Sequence, residues 1–197
     1  MNMMNMDFTS PAVMIGAVVA VLLIATAIAV VAIQQKKKSA LLRTRFGPEY
    51  ELAVREAGSR KKGEEALHAR VKRVEQLKIR DLTVAERDRY LREWEAVQLH
   101  FIDHPRGAVT EAHELVNSLL VARGYPAGGF DQHAADVSVN HPSLVGPYRL
   151  ANGITSRAGK TEATTEELRG AMIQYRTLFD ALLGTKTPTE QPVPVLA

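Results

Sequence analysis

From Pro11 to Ile33 the chain reads PAVMIGAVVAVLLIATAIAVVAI, with no charged side chain and only the hydroxyl of Thr26 as a polar group. A helix of this length rises about 34 Å, enough to cross a hydrocarbon core of about 30 Å. Inside lipid every backbone N–H and C=O needs a partner within the structure, so a lone spanning segment can only be a helix. The run therefore predicts one transmembrane helix over 11–33, preceded by a short tail at 1–10. A cleaved secretory signal is the competing reading. Such signals carry a basic leading region and an apolar core of about 7–15 residues. Here the leading residues hold Asp7 and no Lys or Arg, and the run ends on Gln34-Gln35-Lys36-Lys37-Lys38.

Basic residues near a span tend to remain in the cytoplasm. Lys36, Lys37, Lys38, Arg43 and Arg45 all follow the run, and no basic side chain precedes it. The expectation is a single-pass protein of the cell membrane with its C-terminal part in the cytoplasm. The same lysines are suited to anionic lipid headgroups, each worth about 1 kcal/mol near the surface. Ala12, Gly16 and Ala20 recur every fourth residue, a small-residue stripe on which two anchors could pack as a homodimer.

The 197 residues contain no cysteine, which removes disulfides and thiolate chemistry. The pI of about 9.2 comes from the stretch between Gln34 and Lys62, where bases outnumber acids; from Gly63 onward acids slightly outnumber bases. The charge therefore reads as a basic juxtamembrane linker over 34–47 rather than a nucleic-acid surface, and no nucleic-acid motif is present.

Residues 48–184 read as one all-α domain, a compact bundle of about five or six helices. Pro48 suits a first helical position, with Glu49 and Glu51 at the positive end of the dipole. A helix from about Arg60 to Ile79 places Leu67, Val71 and Val74 on one face. Thr83 with Glu86, and Thr164 with Glu167, are capping boxes. Tyr90, Trp94, Val97 and Phe101 form an aromatic stripe suited to central packing. After Pro105 the buried face is Ala108, Ala112, Leu115, Val116, Leu119 and Leu120, closed by Gly124 and Pro126. A short helix over 131–137, a break at Asn140-His141-Pro142 and a helix carrying Leu144, Val145, Tyr148, Ala151 and Ile154 follow. The last helix carries Leu168, Met172, Tyr175, Leu178, Phe179 and Leu182 before Gly184. Residues 185–197, with Pro188, Pro192 and Pro194, read as a disordered tail.

Phe46-Gly47-Pro48-Glu49-Tyr50-Glu51, Arg123-Gly124-Tyr125-Pro126, His141-Pro142 and Thr165-Glu166-Glu167-Leu168-Arg169 together carry a resemblance. So do Val97-Gln98, Phe101-Ile102-Asp103 with Pro105, and Tyr175-Arg176 with Leu178-Phe179. The set is similar to an uncharacterised family of bacterial proteins, often with one N-terminal membrane segment. The resemblance covers roughly Arg45 to Leu183. It implies a bacterial, membrane-tethered protein and assigns no activity and no catalytic residue.

Few residues suggest chemistry. His100 and His104, four apart on one helix, are the candidate metal pair. The Glu of an H-E-x-x-H site is missing, Pro105 follows at once, and imidazoles at a helix end also suit the dipole's negative terminus. No phosphate-binding glycine loop and no G-x-S-x-G elbow occurs. No catalytic residue and no cofactor is expected. The chain thus reads as a membrane-anchored interaction or scaffolding module with a protein partner. The alternative is a metal-dependent or hydrolytic enzyme with a site near residues 124–147, where Asp131, His133, Asp136 and His141 cluster.

Overall fold

A computed structural model describes residues 11–160 and 162–184, with side chains throughout except at 11–18, 20 and 21. The expected tails at 1–10 and 185–197 and the stripe Ala12, Gly16 and Ala20 lie outside what is described. Every described element is helical: α1 (Pro11–Phe46), α2 (Pro48–Ala57), α3 (Arg60–Glu75), α4 (Val84–Asp103), α5 (Pro105–Ala122), α6 (Phe130–Asn140), α7 (Pro142–Ala158) and α8 (Thr165–Leu183). The all-α class is as expected. The chain divides into two units, one ending at Thr44 and one beginning at Arg45.

The expected transmembrane helix falls partly on residues whose side chains are not described. Among the described residues no helix is long and apolar enough to cross a membrane. Residues 34–46, read as a linker, continue α1 without a break. Leu22, Leu23, Ile24, Ile28, Val31 and Ile33 are all exposed. The Thr26 hydroxyl donates back to the Leu22 carbonyl, so the run's polar side chain is satisfied by its own helix.

The second unit holds seven helices among the described residues, more than the five or six expected. The divisions come from specific punctuation. Gly47 at φ 51 separates α1 from α2, and Gly58 at φ 70 separates α2 from α3. His104-Pro105 and His141-Pro142 are two corners of nearly one geometry, with φ −134 at both histidines. The residue before a proline is pushed out of the α region, while the proline itself suits the first position of the next helix. Pro147 lies inside α7.

Local signals set the helix ends. Both capping boxes are formed, Thr83 with Glu86 and Thr164 with Glu167. The Arg80 guanidinium, with the Thr83 bonds behind it, lowers the Glu86 carboxyl to about 2. At the end of α5, Tyr125 N–H donates to Leu120 O at 3.1 Å and Gly124 N–H to Val121 O at 3.0 Å. This is a full Schellman motif around Gly124 at φ 99. α3 stops at Glu75, short of the expected Ile79, and the chain then runs on to the Thr83 cap.

The core lies around α5, which packs against α4, α7 and α8. Its six predicted apolar positions are buried, with Val109 added, and so are all six predicted positions of α8. Tyr90, Trp94 and Val97 are buried; Phe101 is only partly so and stands at the edge. Trp94 stacks on Phe179 with ring centroids 4.7 Å apart.

Candidate functional site

The stretch 124–147 brings its acids and imidazoles into structure rather than into one site. Asp131 is exposed and His141 forms the second His-Pro corner. Asp136 is fully buried. It accepts from both Arg73 Nε, at 2.9 Å, and Arg73 Nη2, and from Gln132 Nε2 at 2.7 Å. That fork ties α3 to α6. His133, 2 % exposed, donates from Nε2 to Pro126 O at 2.9 Å and lies 3.3 Å from Asn117 Oδ1 through Nδ1. The two groups therefore serve different partners.

His133 belongs to a polar network through the core. Asn117 on α5 accepts from Tyr148 OH at 3.0 Å and presents Nδ2 to His113 Nε2 at 3.0 Å. His113 Nδ1 is 3.1 Å from Tyr175 OH, which is 2.8 Å from Thr155 Oγ1. Thr155 then donates to Ala151 O at 2.9 Å. The network joins α5, α6, α7 and α8. Both of its ends, Ala151 O and Pro126 O, can only accept. Neutral His113 can accept from Asn117 at Nε2 and donate to Tyr175 at Nδ1.

Burial dominates the electrostatics of this network. Desolvation lowers the His113 imidazole, with Glu114 opposing and nearby His133 adding to the shift. Burial also pushes Tyr175 up to about 12 and raises Tyr148, the latter helped by Tyr175. Phenols held in their neutral form are hydrogen-bonding props, not bases.

His100 and His104 do come together, with ring centroids 5.1 Å apart. His100 Nδ1 lies 2.9 Å from both carboxylate oxygens of Glu111. A carboxylate on one ring nitrogen is how proteins orient a metal-binding imidazole. Asp103 and His104 face an open depression of about 580 Å³ with the first residues of α5 and α8. Among the described residues no group of three His, Cys, Asp or Glu side chains is placed to hold a metal. The site is two imidazoles and a bracing acid, short of a ligand set.

A second open feature runs between α4 and α8. It is a valley of about 340 Å³ lined by Trp94, Gln98, Phe101, Met172, Ile173 and Thr177, with Arg169 and Arg176 on its rim. The Arg176 guanidinium lies 5.6 Å from the centre of the Trp94 ring. It donates to Asp180 at 2.8 Å and to Gln98 Oε1 at 3.4 Å. Ile173, one of the lining residues, is exposed. The valley is apolar, rimmed by bonded polar groups, and has no nucleophile or general base in it.

Sequence reasoning did not point to Asn117, Thr155, Arg73 or the Glu49–Arg149 pair, in which Arg149 Nη2 donates to buried Glu49 at 3.2 Å. Each is an ordinary polar residue whose partner is distant in sequence, and no local pattern marks it. Comparison with protein-family models, with curated proteins and with solved structures finds no match to this chain.

Proposed function

We propose that this protein is a membrane-anchored helical module that binds a protein partner through the valley between α4 and α8. The observation that carries this reading is an apolar valley whose lining includes the exposed Ile173 with Phe101 and Met172. Exposed apolar surface rimmed by polar groups marks interaction sites more often than apolar side chains scattered singly do. The anchor rests on the uncharged run Pro11–Ile33 and on the exposed apolar side chains of its later half. Lys36, Lys37 and Lys38 would then lie against anionic headgroups, with the helical unit on the cytoplasmic side.

An enzyme with its site at residues 124–147 finds no support in the geometry, because His133 and Asp136 are each committed to structural partners. The test is immunoprecipitation of the full chain from membranes, beside the Ile173→Glu variant. The wild type should recover a reproducible partner that the variant loses. Repeated recovery of the chain alone, or a partner indifferent to Ile173→Glu, would overturn the reading.

A further inference from the structure

We propose that the occupant of the α4/α8 valley, when no other protein fills it, is the chain's own proline-rich stretch Pro188–Leu196. The inference rests on the reading of the valley as a peptide-accepting surface. Position is the first argument. α8 ends at Leu183, and Gly184 takes a left-handed conformation at φ 73 that turns the chain off the helix axis. Along α8, Thr177 lies about 9 Å back from Leu183 and Arg169 about 21 Å back. Residues 185–197, at about 3.1 Å each in an extended polyproline helix, reach roughly 40 Å. That is enough to reverse and run the length of the valley with slack for the turn.

Chemistry is the second argument. Pro188, Pro192 and Pro194 hold the backbone near the polyproline geometry, so docking costs little further entropy. Such segments bind grooves lined by aromatic side chains, as the partly exposed Phe101 lines this one above the buried Trp94. Val193, Val195 and Leu196 supply apolar side chains for Met172 and Ile173. Polyproline backbone leaves its carbonyls free to accept. The Gln98 side-chain N–H groups make no hydrogen bond among the described residues, its Oε1 being the atom that Arg176 engages. A tether this short also places the segment at an effective concentration of roughly millimolar beside its site.

The absence of cysteine makes the test clean. In the full chain in membranes, an Ile173→Cys, Val193→Cys pair is oxidised in parallel with a Leu150→Cys, Val193→Cys pair. Ile173 and Leu150 are equally exposed, at 58 % and 59 %. We expect an intramolecular disulfide to form at least tenfold faster at Ile173. Adding Pro192→Ser and Pro194→Ser should remove most of that preference, which mere tethering would not. Equal rates for the two pairs, a preference indifferent to the prolines, or disulfides only between chains would each overturn the proposal; the last would make a second copy the occupant. These rates are independent of partner recovery. Levelled rates with partner loss in Ile173→Glu would remove the tail and leave the valley as an interaction surface.

Discussion

Gly63 shows how much one hydrogen atom can decide. A Cβ at this position would sit 2.7 Å from Val54 Cα and 2.9 Å from Val54 N, both backbone atoms that cannot swing away. Alanine would gain about 1 kcal/mol of helix propensity in the first turn of α3. Overpacking against a fixed neighbour costs about 1–3 kcal/mol, so the clash wins. Gly63→Ala is expected to lower stability by about 1 kcal/mol or more in denaturant unfolding; a gain would show that α2 and α3 can part freely. The Arg73–Asp136 fork gives an asymmetric expectation. Arg73→Ala strands a fully buried carboxylate and should cost about 3–5 kcal/mol. Asp136→Asn leaves a guanidinium that already reaches water and keeps an acceptor oxygen, so about 1–3 kcal/mol is expected. Equal losses from the two variants would contradict the burial difference.

At the scale of elements, the polar network couples four helices to one proton balance. His113 accepts from Asn117 only while neutral, and burial holds its imidazole below the ordinary value. As pH falls below about 6.5, the unfolded chain takes up this proton before the folded one does. This contribution to stability is therefore complete above that pH and declines as pH drops toward the lowered folded value. Melting temperature followed from about pH 7.5 to about pH 5.5 should fall, and His113→Gln should flatten that decline. A slope identical in the variant would mean that other groups carry the acid sensitivity. Element ends and apolar stripes were legible in the sequence because they depend on neighbours three or four residues away. Both capping boxes, the α5 and α8 faces and the Gly124 stop are of this kind. The network was not legible, since His113 and Tyr175, or Arg73 and Asp136, meet only after the helices pack. Both His-Pro corners were legible as breaks, because a proline disfavours the α conformation in the residue before it.

For the whole molecule, the uneven charge is the property with the widest reach. Basic residues concentrate in the stretch that continues α1 beyond Ile33, whereas the helical unit is close to balanced. Replacing Lys36, Lys37 and Lys38 together by Gln should weaken binding to phosphatidylserine vesicles by about 3 kcal/mol at most, and less as salt rises. Neutral phosphatidylcholine vesicles should not distinguish the variant from wild type. An equal loss on both vesicles would assign the lysines a structural role instead.

Trp94 is the chain's single tryptophan. Its ring rests on Phe179 with the Arg176 guanidinium close by. Red-edge ultraviolet excitation of the unmodified protein therefore produces light from one known place, the seam where α4 meets α8. The protein carries its own lamp just beneath the surface assigned here to binding, and anything that pries the seam apart and lets water reach the ring will change the colour or brightness of that emission.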